Sequence, residues 1–458
     1  MWRMSPPSAV PFSEAIRAWL KIGLIGFGGP AGQIALMQRE LVERRRWIGN
    51  ARFLHALNYC MLLPGPEAQQ LATYVGWLLH GTPGGLVAGV LFVLPGALVI
   101  LALSVLYATY GTVAWVAALF YGLKPAVLAI VVEALMRIGH RALTDPSSVA
   151  LAAAAYAAIA FYGVPFPLIV VGAGLAGLAA SRVRPGAATL PSPDDVAAAD
   201  EAGEAYAVAD RAAVARHARR SWGRTLGVVA VWLALWWLPV GALALALGGG
   251  HVLVREAVFF GQVAVVSFGG AYAALAYVAQ QAVGHFGWLA SREMLDGLGL
   301  AETTPGPLVL VTQFVGFLGA YRHPAPFGPV EAGMIGSCVV TWAVFAPSFL
   351  WIFAGAPFIE RLRGFRSLSA ALSGVTAAVV GVIFNLSLWF GIHALFGRVG
   401  EARVLGARIL VPAWSTLDVT GLGIALASFV ALARLRWSLP AVVGGASLAG
   451  LAASLMRH

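Results

Sequence analysis

The chain has 458 residues, 60% of them hydrophobic and 11% charged, with a mean hydropathy of +0.82. Soluble domains carry roughly 25% charged residues, so a cytosolic enzyme, a disordered chain and a disulfide-stapled secreted protein are all excluded. Thirty Lys+Arg against 20 Asp+Glu give a net charge of +10. Most of the arginines lie between apolar runs, where positive charge sets topology and meets anionic headgroups, so the basic balance does not point to nucleic acid.

Apolar runs long enough for a bilayer-crossing helix of about 20 residues recur along the whole chain. Six come first, at 14–36, 58–80, 84–107, 113–139, 148–163 and 165–181. Glu14, Arg17 and Lys21 interrupt the first, so it does not read as a cleavable signal. A polar stretch from Ser181 to Arg224 follows, Pro-rich at its start and arginine-rich at its end, too short to bury a core of its own. A seventh run covers 225–247, and six more lie at 252–281, 299–320, 330–355, 368–394, 413–434 and 438–456. Cys60 and Cys338 lie far apart in apolar runs with no C-x-x-C, and no two of the nine histidines are spaced i,i+4. Neither a disulfide framework nor a metal site is indicated, and no cofactor is expected.

The two sets of six are copies. A shift of 241 places Phe27-Gly28-Gly29 on Phe268-Gly269-Gly270, Trp47 on Trp288, Leu54 on Leu295, and Pro64-Gly65-Pro66 on Pro305-Gly306-Pro307. A shift of 252 then places Pro95 on Pro347 and Gly122 on Gly374. An ordered series of this kind marks an internal duplication. The expected organisation is a first repeat at 1–181, a polar cytoplasmic linker at 182–224, a connecting transmembrane helix at 225–247 and a second repeat at 248–458. One odd crossing between two sets of six reverses the second copy. The fold expected is therefore an all-α polytopic membrane protein of two inverted repeats, about 13 segments in all, an architecture of secondary transporters. With the N-terminus inside, 16 loop and end arginines face the cytoplasm and 11 face out, in weak accord with the positive-inside rule. The cluster from Arg39 to Arg52 is the main exception: either a positive outer mouth, or a sign that the preceding segment is re-entrant.

Helix-breaking backbone inside a membrane must be buried in protein or line a wet cavity. Two places in each half demand it: Gly26-Phe27-Gly28-Gly29-Pro30 with its copy Phe268-Gly269-Gly270, and Pro64-Gly65-Pro66 with its copy Thr304-Pro305-Gly306-Pro307. Broken helices present unpaired N–H groups at a positive dipole end, which suits an anion; the competing reading is close helix packing through small residues. Ionisable groups inside crossings are functional candidates by default. Lys21 and Lys124, the two lysines of the chain, would attract an anion or else snorkel or pair structurally. Glu67, Glu133 and Glu302 would carry a proton or else serve as salt-bridge partners. A further motif, Gly172-x-Gly174-x-x-Gly177, matches a dinucleotide-binding turn and raises a membrane-bound flavin or nicotinamide oxidoreductase as a remote alternative. The strand and βαβ unit such a turn requires are missing, and a packing face of small residues fits the same pattern.

Gly26-Phe-Gly-Gly-Pro30 with Trp47 and Pro64-Gly-Pro66, and the second set Ser267-Phe-Gly-Gly270 with Trp288 and Thr304-Pro-Gly-Pro307, resemble the chromate ion transporter family in its long two-domain form. The resemblance covers nearly the whole chain. It implies a non-enzymatic protein of the bacterial inner membrane that exports chromate, driven by the proton-motive force, and two halves of opposite topology. Sulfate or another oxyanion is the alternative substrate. Chromate is a tetrahedral dianion, so the expected site combines the four breaks with charge from Lys21 and Lys124, and proton coupling at Glu67, Glu133 or Glu302.

Overall fold

The computed structural model describes residues 10–111, 113–183, 222–268, 270–356, 366–404 and 407–456. Gly269 and nearly all of the polar linker, both singled out by the sequence, lie outside them. In the first half the helices are α1 (Phe12–Ile25), α2 (Gly29–Met37), α3 (Asn50–Met61), α4 (Glu67–Tyr110), α5 (Ala114–Ala142), α6 (Pro146–Tyr162) and α7 (Phe166–Val183). Then come α8 (Trp222–Leu247), α9 (Val252–Val266), α10 (Ala271–Ala279), α11 (Ser291–Thr303), α12 (Val311–Arg322), α13 (Pro329–Gly355), α14 (Arg366–Leu395), α15 (Val419–Ala433) and α16 (Leu439–Leu455). The same series occurs on both sides of α8. Both α2 and α10 run on into a π-helical turn, Gln38–Arg44 and Gln280–His285. Within α4 the backbone leaves the helix at His80 and Gly81, where the second half has the gap between α12 and α13.

Four of the expected crossings, 14–36, 58–80, 252–281 and 299–320, are not single helices. Each is interrupted by a break between two helices, and in 58–80 the second of these is the start of the long α4. At 1.5 Å per residue, α1, α2 and α3, with 14, 9 and 12 residues, are about 21, 14 and 18 Å long, short of a hydrocarbon core of about 30 Å. Among the described residues five helices are long and apolar enough to cross a membrane. This is an all-α polytopic membrane protein. Its one described sheet is a hairpin of β1 (Val399–Val404) and β2 (Ala407–Pro412) between α14 and α15, which the helix-seeking sequence reading missed. The signal was period-2 alternation: Gly400, Ala402 and Val404 pair with Val411, Ile409 and Ala407 on an apolar face, and Arg403 opposes Arg408 on the other.

The halves interlock. Helix α14 lies against α5, α6 and α7, α5 lies against α15 and α16, and α4 packs on α13. Small residues bring the backbones close: Gly122 of α5 abuts the Ala446 carbonyl, and Gly177 of α7 abuts the Ala370 carbonyl. The Gly172-x-Gly174-x-x-Gly177 motif is thus continuous helix with a packing role. No dinucleotide turn forms there. Asp145 caps α6, accepting from the backbone N–H groups of Ser147 at 2.8 Å and Ser148 at 3.1 Å. Together with the Ser147 hydroxyl, these hold its carboxyl below the ordinary value.

Candidate functional site at the four helix breaks

The breaks meet crosswise. The Gly65 N–H donates to the Ser267 carbonyl at 3.0 Å, and the Gly306 N–H donates to the Gly26 carbonyl at 3.0 Å. Under the shift of 241, Gly65 maps to Gly306 and Gly26 to Ser267, so the two bonds are images of each other. Each Pro-Gly-Pro break therefore pairs with the Gly-Gly break of the opposite half. Gly65 (φ 110°) and Gly306 (φ 95°) lie in the left-handed region that L side chains avoid, which is what turns each peptide toward its partner. Buried glutamines complete the joints. Gln33 donates to the Gly306 carbonyl at 2.5 Å and the Gly26 carbonyl at 3.1 Å, and Gln70 donates to the Pro64 carbonyl at 2.7 Å.

A central cavity lies between the joints, with about 20 Å³ open to the centre of a water-sized sphere. Its walls are the starts of four helical segments. Pro30 and Gln33 come from α2; Gly65, Pro66 and Glu67 from the entry to α4. Ser267, Gly270 and Ala271 lead into α10, and Pro307 and Leu308 into the turn before α12. The first N–H groups of a helix have no intrahelical acceptor, and their end of the dipole is positive. Four such ends border one cavity whose wall is mostly apolar. Among the described residues no lysine or arginine lines it. Among the described residues Gln33 Oε1, whose side chain lines the cavity, has no hydrogen-bond partner, nor have Gln70 Oε1 and the Ser348 hydroxyl, whose side chains lie near Gly65. Space of about 20 Å³ is about that of one water.

Gly65, Pro66, Glu67, Gly270 and Pro307, all singled out from sequence, line this cavity. Gly28 and Gly29 immediately precede it at Pro30. Pro64 and Gly306 hold the joints, Pro305 presses its carbonyl on Gly96 of α4, and Thr304 bonds its hydroxyl back to Ala301 at 3.1 Å. The lysines are elsewhere. Lys21 pairs with Glu40 at 2.9 Å, and Arg44 holds the same carboxylate at 2.6 Å. Lys124 pairs with Asp296 at 3.4 Å, and the Tyr107 hydroxyl donates to that carboxylate at 2.9 Å. Glu133 pairs with Arg137 one turn on, at 3.5 Å. Glu302 is buried and accepts from the Tyr272 hydroxyl at 2.7 Å. The Arg39–Arg52 cluster is partly neutralised, since Arg45 reaches Glu14 at 2.8 Å.

Sequence reasoning missed Gln33, Ser267, Asp296 and Glu256. Gln33 stood out as an amide in the otherwise apolar run after Pro30. Glu256 is a carboxyl within apolar α9, fully buried, with neither oxygen hydrogen-bonded among the described residues. The rule that flagged Lys21 applied to it equally.

Short helices whose starts converge on one buried centre, within a bundle of apolar helices, define a polytopic membrane protein. The chain belongs to the chromate transporter family, whose model matches residues 13–178 and 255–451. It is 33% identical to a chromate transport protein of Pseudomonas aeruginosa over 82% of this chain and 80% of that one. It is 26% identical to a chromate transport protein of Cupriavidus metallidurans over 97% and 94%. It is also 27% identical to a probable chromate transport protein of Synechococcus elongatus over 89% and 91%. No solved structure matches the chain. Family membership supports chromate transport as its function.

Proposed function

We propose that this protein exports chromate from the bacterial cytoplasm across the plasma membrane by alternating access around the central cavity. The observation that carries this is the convergence of four helix starts on one cavity with no lysine or arginine among the described residues of its wall. Such a site attracts an anion through fixed dipoles and releases it without breaking an ion pair. In this reading residues 1–181 and 248–458 are inverted repeats joined through the linker and the helix at 225–247. The crosswise joints are where the two rock against each other. Gly28, Gly29, Pro64–Pro66, Gly270 and Thr304–Pro307 form the shell of the site, while Lys21 and Lys124 act as counter-ions to Glu40 and Asp296.

The proton-motive force supplies the drive chiefly through its electrical part. Moving one charge across 100 mV is worth about 2.3 kcal/mol, so each net negative charge leaving an inside-negative cell adds a gradient of nearly two powers of ten. Chromate uptake by everted vesicles carrying the protein tests this, with valinomycin and potassium to collapse the potential, nigericin to collapse the pH gradient, and excess sulfate as competitor. Accumulation that valinomycin abolishes is expected. Accumulation indifferent to both ionophores sinks the energetic reading. Equal displacement by sulfate would widen the substrate class to tetrahedral oxyanions in general.

A further inference from the structure

We propose that the anion occupies the cavity together with one proton carried on Glu67, so that the transported unit bears one negative charge rather than two. This deepens the transport reading above and rests on it. Glu67 is the one ionisable side chain among the cavity-lining residues. It stands in the first turn of α4, and its Oε1 lies 3.9 Å from where a Cβ on Gly270 would stand. The carboxyl thus reaches across the cavity from the start of α4 toward the start of α10. Ionised, it occupies the positive helix ends that an incoming anion needs, since a carboxylate at a helix N-terminus is stabilised by those same N–H groups.

No ion pair to Glu67 occurs among the described residues, and both lysines are held by other carboxylates. From α3 the titratable group within its electrostatic reach is the Cys60 thiol. From α10, the turn before α12, and α13 it faces Ala271, Leu308 and Val344. A carboxylate and a dianion side by side between such walls repel strongly, because little polarisable medium separates them. Taking up a proton removes that repulsion and yields the helix ends to the anion. The step balances without covalent chemistry: carboxylate, proton and dianion enter, and carboxylic acid and bound dianion result. Under the shift of 241 the counterpart of Glu67 is Leu308, so the site holds one proton and not two. In export, acid outside then opposes the flux while the inside-negative potential drives it with one net charge.

The test uses the full chain in proteoliposomes at alkaline pH, where free chromate is the dianion. The chromate distribution at zero net flux is measured against an imposed potassium potential and, separately, an imposed pH gradient. The wild-type distribution is expected to change tenfold per about 59 mV and tenfold per pH unit. Glu67→Gln is expected to change a hundredfold per about 59 mV and to ignore the pH gradient. A wild-type slope of two charges with no response to pH overturns the proposal even if the variant does not fold. So does a Glu67→Gln protein that keeps the wild-type pH response, since the proton then travels on another group. A wild-type chain that moves no anion under any gradient overturns the transport reading itself, and this one with it.

Discussion

Replacing Gln33 by leucine tests whether side-chain amides lock the crosswise joints. The wild-type amide is fully buried and donates to two carbonyls, of Gly306 at 2.5 Å and Gly26 at 3.1 Å. Gly26 keeps a donor in the variant, because the Gly306 N–H still reaches it at 3.0 Å. Gly306 does not: its carbonyl is left without a donor among the described residues. One buried carbonyl stripped of its partner costs about 1–3 kcal/mol. Leucine nearly matches glutamine in volume, so a cavity adds little. The variant also removes the unpartnered Gln33 Oε1, which offsets part of the loss. A net destabilisation of about 1–2 kcal/mol is expected, read from thermal unfolding of the detergent-solubilised protein by tryptophan fluorescence. Gln70→Leu, which uncovers the Pro64 carbonyl, should cost a similar amount, and the two losses should add within about 0.5 kcal/mol if the joints are independent. Wild-type stability in Gln33→Leu would refute the reasoning, since the joint would then be held by backbone bonds alone.

Lys124→Gln leaves the buried Asp296 carboxylate without its cation and should destabilise by about 3 kcal/mol, the low end for a broken buried pair because the Tyr107 hydroxyl remains. Adding Asp296→Asn should recover most of it with chromate transport retained, and a correctly folded double variant that no longer transports would assign Lys124 to the substrate. Lys21→Gln should cost less than about 1 kcal/mol, since Lys21 is 44% exposed and Glu40 keeps Arg44; transport in vesicles should match wild type. Gly96→Val drives a side chain into the Pro305 carbonyl, so a loss of about 1–3 kcal/mol is expected, with slower chromate flux than in a distant control such as Gly444→Ala. The Asp145 cap has a lowered folded-state pKa, so its contribution is complete above the ordinary carboxylate value and vanishes as pH falls through the lowered one. Hydrogen exchange at the Ser147 and Ser148 amides should quicken over that acid window, and Asp145→Ala should abolish the pH dependence.

The breaks were legible because they are written in residue types with one conformational meaning. A Pro-Gly-Pro in an apolar run ends a helix wherever it stands, and its recurrence at a fixed shift needs no three-dimensional knowledge. Which break faces which was not legible. The pairing of Gly65 with Ser267 and of Gly306 with Gly26 follows from how two bundles interlock, and local periodicity carries no trace of it. The lysines show the opposite limit. Rarity inside apolar runs marked Lys21 and Lys124 as charge for the anion site, with structural pairing as the competing reading, and the structure pairs both away from the cavity. Sequence spacing could not show that those partners are Glu40, nineteen residues on, and Asp296 in the other half. The hairpin at 399–412 was missed because a search for long apolar runs passes over strands of six residues.

The crosswise joints also set a problem of timing during synthesis. Gln33 and its acceptor Gly306 are 273 residues apart, so at roughly 5–20 residues per second the early partner waits roughly 15–55 s for the late one to leave the ribosome. Through most of that interval the Gly65 N–H lacks its Ser267 acceptor, and lipid offers none. The first half must therefore be held near water or the insertion machinery until the second arrives. Its assembly is completed only when the last half of the message has been read.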